Sequence, residues 1–288
     1  MNIELLKKYE QIYIIGHKNP DTDTIVSSKI LSDIFNFYKI KSNYVVIEGE
    51  TLNQYNQKMI DECMDYKPLI IKKNDIKNHL YFLVDHNDIK QSINDSTLVI
   101  GCIDHHPDSG IIKNVIFTDY CCTALYIYFL FKDMYKFSNE QKYQIYMAFL
   151  NDSSFGKSSR YNKKDELLAS TLGFKNNYNE LFTKFFIPTD LSNLNYAFEN
   201  SNLKSYKFND WQFKSSCIES YDIFRLNEYK SFIKNSNNFL GIWIDYENNK
   251  TYAFFKYEKD YIEKEYDFIA SRATTIINDV LDFLKKLD

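Results

Sequence analysis

Proline and glycine are scarce: four and seven residues, respectively, in a chain of 288. Such a chain is neither collagen-like nor linker-rich nor disordered. With 44% hydrophobic and 26% charged residues it has the makings of a sizeable core, in one large domain or two ordinary ones. Cysteine is also sparse. The five cysteines are odd in number and form no C-x-x-C pair, which excludes a disulfide framework and predicts reduced, mostly buried thiols in a cytosolic protein. The longest apolar run, 124–131, is far short of the roughly 20 residues of a membrane helix. The first eight residues, MNIELLKK, lack the basic-then-apolar plan of a signal peptide. A net charge of −4 and a pI near 5.8 offer no positive field, so neither nucleic acid nor a membrane is an expected partner. The 24 tyrosines and 23 phenylalanines read as compositional background rather than a base-stacking platform.

What is present is a rhythm. Short runs that are apolar on nearly every residue recur at 12–15, 44–47, 69–71, 81–84, 98–103 and 115–117. Strands of this kind suit a parallel sheet covered on both faces. Stretches of helical length and pattern lie at 24–38 and 52–66, and again at 123–135 and 139–150. The alternation predicts an α/β fold: an N-terminal doubly wound parallel-sheet domain over 1–186, then a linker at 187–192 around Pro188. Residues 193–288 read as a smaller C-terminal α+β domain, with strands at 211–218, 239–246 and 252–257. Two helices are expected there, at 222–234 and in the segment carrying Ile276, Ile277, Val280, Leu281 and Leu284.

The histidines carry the chemistry. They fall at 17, 79, 86, 105 and 106, and four of them follow predicted strands with an aspartate close by. The clusters are Gly16-His17-Lys18-Asn19-Pro20-Asp21-Thr22-Asp23, Asp85-His86-Asn87 and Asp104-His105-His106. In an open parallel sheet ligands gather at the carboxyl ends of the strands, so three strands deliver these groups to one rim. A fourth carboxylate, Asp152, ends a predicted helix in Asn151-Asp152-Ser153. Imidazole and carboxylate without thiolate suit Mn²⁺, Co²⁺, Fe²⁺ or Mg²⁺ better than structural zinc. His17, Asp21, Asp23, Asp85, Asp104, His105 and Asp152 are too many for one ion, and paired ions sharing a carboxylate are the usual device for activating water against a phosphoryl group. Asp21 and Asp23, one residue apart, are expected to face the same way in an extended loop, each serving a different ion. A lone Asp-x-Asp or His-His is ordinarily solvated surface or a cap; four clusters at element ends together are not. His79 has no such context and reads as a surface or packing residue. Gly156-Lys157-Ser158 resembles the end of a P-loop, but the required earlier glycine is Asn151. The run Lys163-Lys164-Asp165-Glu166 reads as a solvated helix start.

These three clusters resemble the signature motifs of the DHH phosphoesterase superfamily, and the His-x-Asn-Pro-Asp-x-Asp form of the first is that of the family II inorganic pyrophosphatases. The resemblance continues through Cys122-Thr123-Ala124, Asn151-Asp152-Ser153, Asp190-Leu191-Ser192 and Ser271-Arg272. It implies a manganese- or cobalt-dependent hydrolase of pyrophosphate, with two Mn²⁺ (or Co²⁺) per chain and a further Mg²⁺ arriving with substrate. By the same resemblance His17 and Asp21 hold one ion, and Asp23, His105 and Asp152 hold the other. Asp85 bridges them, His106 contacts substrate, and Asp104 tunes the pair from behind. Lys204 and Arg272 of the C-terminal domain are implied as phosphate ligands, with the active site in the interdomain cleft and a homodimer formed through the N-terminal sheet. The family's Ser-Arg-Lys-Lys-Gln is here Ser271-Arg272-Ala273-Thr274-Thr275, so one phosphate-binding lysine is replaced by alanine. The rival readings are an exopolyphosphatase or other small-phosphoanhydride hydrolase, and a phosphate or nucleotide sensor without turnover.

Overall fold

A computed structural model of the protein describes residues 3–175, 177–208 and 210–286. The chain divides into two units. One runs to Gly156 and resumes over Arg160–Phe186; the other comprises Lys157–Ser159 and the residues from Ile187 onward.

The first unit is built on a parallel six-stranded sheet. Its strands are β1 (Ile12–Ile15), β2 (Ser42–Ile47), β3 (Leu69–Ile71), β4 (Tyr81–Val84), β5 (Val99–Asp104) and β6 (Val115–Phe117), in the order β3-β2-β1-β4-β5-β6. Every neighbouring pair is parallel, with β1 flanked by β2 and β4. Strand order therefore reverses between β1 and β4, which opens a crevice beyond their carboxyl ends. On one face lie helices α1 (Thr22–Phe37), α2 (Gln54–Cys63), α3 (Thr123–Phe131) and α4 (Asn139–Asp152); Phe35 of α1 meets Phe82 of β4 edge-on at 5.6 Å. Side chains of alternate parity point to the other face, where Ile15, Val45, Ile47, Ile71, Tyr81, Leu83 and Cys102 form a core. That face is covered by short 3₁₀ turns and loops carrying Ile76, Leu98 and Ile112. The unit closes with α5 (Lys163–Ser170), which starts where the charge run predicts, and α6 (Tyr178–Phe185).

The second unit carries α7 (Leu194–Asn200) and a mixed five-stranded sheet of β7 (Lys204–Phe208), β8 (Trp211–Ser220), β9 (Phe239–Asp245), β10 (Lys250–Tyr257) and β11 (Asp260–Tyr266), in the order β11-β10-β9-β8-β7. Helix α8 (Leu226–Lys234) crosses from β8 to β9, the one parallel pair of that sheet. Trp243, Tyr229, Ile233, Phe198 and Phe254 fill the core beneath it. Gly241 lets α8 sit close, because a Cβ there would fall 2.5 Å from Ile233 Cδ1. Residues Arg272–Ile276 form a π-helical turn leading into α9 (Ile277–Leu284). The segment Lys157–Ser159 belongs to this unit through an isolated bridge between Ser158 and Ile269, with the Ser159 amide donating to Ile269 O at 2.9 Å.

The five cysteines are buried and unbonded, as expected. Among the described residues no helix is long and apolar enough to cross a membrane.

Candidate metal centre

The carboxyl ends of β1, β4 and β5 each release a short polar segment into the crevice. After β1 the chain turns through His17 and reaches α1, whose N-cap is Asp21: its Oδ1 accepts from the Thr24 amide at 2.9 Å. Asp23 already lies in the first turn of α1, so the expected extended loop is corrected to a helix start. The helix separates the two acids. Asp21 turns toward His17, while Asp23 turns toward the N-terminus of α3 and accepts from the amides of Thr123 (2.7 Å) and Ala124 (2.8 Å), the Cys122 thiol (3.2 Å) and the Ser27 hydroxyl (3.0 Å). Cys122-Thr123-Ala124 therefore serves as a backbone cradle for one carboxylate, favoured by the positive end of the helix dipole.

Asp85, buried at the end of β4, is the hub. It is held at φ +62°, a left-handed backbone that non-glycine residues rarely adopt and that is found at functional sites. Its Oδ2 lies 3.5 Å from His17 Nε2 and accepts from Thr24 Oγ1 at 2.8 Å. Its Oδ1 lies 3.0 Å from His105 Nε2 and accepts from Thr123 Oγ1 at 3.3 Å. The two oxygens thus face different partners. His17 Nε2 is also 3.3 Å from Asp21 Oδ2, and His105 Nε2 is 3.5 Å from Asp152 Oδ2. Ligand atoms of His17, Asp21 and Asp85 lie within 4.8 Å of one another, as do those of Asp23, Asp85, His105 and Asp152. Asp85 belongs to both sets. A third set, Asp85, Asp104, His105 and His106, adjoins them.

The charges of the cluster act strongly on one another. Burial, then the charges of Asp85 and Asp21, push the Asp23 carboxyl up to about 7. Burial and the charges of Asp23, Asp21 and Asp85 raise Asp152 well above the usual carboxylate range. Asp152 also stands at the last position of α4, where the helix dipole disfavours an anion. Asp85 is pulled the other way: burial would raise it, but hydrogen bonds from His105 and His17 hold it well below the ordinary value. His17 is half-buried: desolvation would lower it, yet Asp21 and Asp85 raise it well above the usual imidazole value. Burial, then the Arg160 charge, lower His105 to about 4, so it is neutral at pH 7. Acids packed this closely, with oxygens and imidazole nitrogens converging, suit divalent cations preferring O and N ligands. The residues fit such ions.

The remaining polar residues support the rim. Asp104 Oδ1 accepts from His106 Nδ1 at 2.9 Å and from the His106 amide at 3.0 Å, which fixes the ring; His106 is the more exposed of the adjacent histidines. Burial would raise Asp104, but the His106 contact outweighs it and lowers it. Asn87 ties the β4 and β5 segments, donating to Asp104 Oδ2 at 2.5 Å and accepting from the Ser109 amide at 2.6 Å. His86 takes no place among the ligand sets: neutral, lowered by burial to about 4, it donates from Nδ1 to Val84 O (3.0 Å) while its Nε2 accepts from Ser92 Oγ (2.8 Å). His79 packs against Tyr13 with ring centroids 4.4 Å apart, as a packing residue would.

Thr24, Thr123 and Arg160 join the centre; of these only Thr123 lies within a motif of the resemblance, and no role had been expected of any of them. Thr24 stands one residue beyond the first motif and was within reach of a capping argument; Arg160 Nη2, 2.6 Å from His105 Nδ1, lies 55 residues from it in sequence and carried no signal. In the second unit, Arg272 Nη1 donates to Asn202 O at 2.6 Å, and Lys204 is exposed at the start of β7, so the two expected phosphate ligands lie on neighbouring segments.

Fold and site together define a class: an open α/β sheet with an imidazole–carboxylate centre at its switch point. Residues 11–151 match the DHH family, N-terminal domain. This protein carries a DHH-family domain over those residues, and part of the chain is homologous to the manganese-dependent family II inorganic pyrophosphatases. The manganese-dependent inorganic pyrophosphatase of Bacillus subtilis (strain 168) is 35% identical over 99 residues, covering 34% of this chain and 31% of that one. The aligned stretch thus spans about a third of that relative's length. The crystal structure of a Methanococcus jannaschii protein described as a candidate family II inorganic pyrophosphatase superposes with a TM-score of 0.67 at 18% identity, over 92% of this chain and 97% of that one. An exopolyphosphatase-related protein from Bacteroides fragilis superposes with a TM-score of 0.52 at 15% identity, over 99% and 95%. These two likenesses are of fold.

Proposed function

We propose that the protein hydrolyses inorganic pyrophosphate to two phosphates at a centre of two Mn²⁺ or Co²⁺ ions, with a further Mg²⁺ bound to substrate. The observation that carries this reading is Asp85, whose two oxygens face separate ligand sets. His17 and Asp21 would hold one ion, Asp23, His105 and Asp152 the other, and Asp85 both. Such ions, when bound, supply a nucleophilic water near neutral pH and neutralise the transferred phosphoryl group.

The chain's own side chains do the rest. Thr24 and Thr123 fix the two oxygens of Asp85; the α3 amides fix Asp23. His106, oriented by Asp104, presents Nε2 to a phosphate oxygen. We assign the first 186 residues to metal binding and residues 193–288 to substrate binding, with 187–192 as the linker. There Arg272, a planar fork of N–H donors, and Lys204 bind phosphate oxygens. A cytoplasmic setting follows from a substrate of this kind.

The test is phosphate release by the Mn²⁺- or Co²⁺-reconstituted protein from pyrophosphate, tripolyphosphate, long-chain polyphosphate and a nucleotide diester. Pyrophosphate preference is expected. Preference for long chains moves the assignment to an exopolyphosphatase, a reading favoured by Ala273 at the place of the family lysine; silence on all four moves it to a sensor.

A further inference from the structure

Arg160 stands beside the centre, and nothing in the reading above uses it. Its Nη2 lies 2.6 Å from Nδ1 of His105 and 3.4 Å from the His105 carbonyl oxygen. A guanidinium offers only N–H donors and keeps its protons at any physiological pH. In this contact Nδ1 is therefore the acceptor. A neutral imidazole carries one ring proton, which must then reside on Nε2. That nitrogen is 3.0 Å from Asp85 Oδ1 and 3.5 Å from Asp152 Oδ2, on the side where His105 meets Asp23, Asp85 and Asp152. With Nδ1 accepting from Arg160 and the proton on Nε2, His105 has no lone pair for a cation.

We propose that Arg160 is a positioning residue that competes with the metal ion for His105, holding the imidazole in the tautomer that cannot ligate until metal loading displaces it. The inference rests on the reading of His105 as a metal ligand. For Nε2 to offer its lone pair, one proton leaves Nε2 and one is taken up at Nδ1, so the ring stays neutral. Nδ1–H and the guanidinium N–H then face each other at a distance that suits only a donor and an acceptor, and Arg160 has to withdraw. Charge acts in the same direction, because the guanidinium stands against the same histidine that the incoming cation must reach. A metal-ligating histidine ordinarily donates its other N–H to a carboxylate or carbonyl; here a cation takes that place.

The test uses the full chain stripped with chelator and titrated calorimetrically with Mn²⁺ alone. In Arg160→Gln the amide can turn its carbonyl to Nδ1–H and carries no charge. One Mn²⁺ binding step is expected to tighten about 10- to 100-fold, the range for partners behind a ligand, while the other step stays put. Arg160→Lys, which keeps charge and donor, is expected to bind as the wild type does. Unchanged or weaker binding in Arg160→Gln overturns the inference, and so does equal tightening in Arg160→Lys, which would trace the effect to lost packing. A wild type that binds no Mn²⁺ overturns the metal-centre reading itself. Should the variants fail to fold, two-bond ¹H–¹⁵N spectra of the wild type decide: His105 protonated on Nε2 after chelation and on Nδ1 with saturating Mg²⁺ is expected. Protonation on Nδ1 in the chelated protein refutes it.

Discussion

Replacing Gly16 with alanine tests whether the loop after β1 is built around Thr24. The backbone of Gly16 is not left-handed, so space alone is at issue. A Cβ on Gly16 would fall 2.2 Å from Thr24 Cγ2, 3.0 Å from its Cβ and 3.1 Å from its Oγ1. Carbon atoms prefer about 3.5–4.0 Å, so the methyl overlap exceeds 1 Å. Thr24 is buried and cannot swing aside without breaking the 2.8 Å bond from its hydroxyl to Asp85 Oδ2. Overpacking of this kind costs about 1–3 kcal/mol. If Thr24 rotates instead, the lost hydrogen bond to a charged group adds about 1.5–3 kcal/mol. At about 2–4 °C per kcal/mol for a chain of this size, a Tm drop of roughly 5–15 °C is expected. Thr24→Ser removes the clashing methyl and keeps the hydroxyl. The double variant Gly16→Ala/Thr24→Ser should therefore be more stable than the sum of the single effects, by at least about 1 kcal/mol. Thermal unfolding of the chelated full chain measures the cycle, and Mn²⁺ calorimetry reads whether Asp85 keeps its aim. Strict additivity, or an alanine at 16 that costs nothing, would refute the steric argument.

Four further outcomes are expected. Asp85→Asn, which tolerates the left-handed backbone but loses the charge, should weaken both Mn²⁺ binding steps, whereas Asp152→Asn should weaken one; a single-step effect at Asp85 would contradict its shared position. In the folded protein Asp23 keeps its proton to about 7 against 3.8 as a free carboxyl, so the native state binds more protons across that window. The Asp23 contribution therefore favours the chelated protein below about pH 4 and is lost as pH rises to about 7, and the stability difference between wild type and Asp23→Asn should move against the wild type from pH 5 to pH 8; a flat difference would contradict it. Saturating Mn²⁺ should raise Tm in a concentration-dependent way, about 2.7 kcal/mol at 100 times the Kd; an invariant Tm would argue against binding to the native state. Gly241→Ala, whose Cβ meets Ile233 at 2.5 Å, should destabilise the second unit and leave Mn²⁺ affinity unchanged, as read by calorimetry.

The first sheet was legible because its strands announce themselves as unbroken apolar runs, those of β1 and β4 buried almost throughout. Predicted strands at 12–15, 69–71, 81–84 and 115–117 match β1, β3, β4 and β6 to the residue, and the expected 98–103 falls one residue from Val99–Asp104. The histidine–aspartate clusters were legible because residue type and strand end coincided. The edge strands of the second sheet were not: Lys204, Ser205 and Lys207 in β7, and Asp260, Glu263, Lys264 and Glu265 in β11, are the polar residues with which open sheet edges are kept soluble. Helix α1 begins at Thr22 rather than the expected 24, because Asp21 acts as an N-cap as well as facing His17. Arg160 is a three-dimensional neighbour only and no local pattern points to it, whereas Thr24 and Thr123 lie beside or within the motifs and only their aim at Asp85 was hidden.

The short excursion at Lys157–Ser159 has a consequence for how the chain is made. Synthesis delivers this segment long before its bridge partner Ile269 exists, near the end of the first unit. A gene fragment beginning at residue 187 would therefore encode the second unit with three of its residues missing. Since domains made first generally fold first, the later residues meet a piece of their own unit already in place.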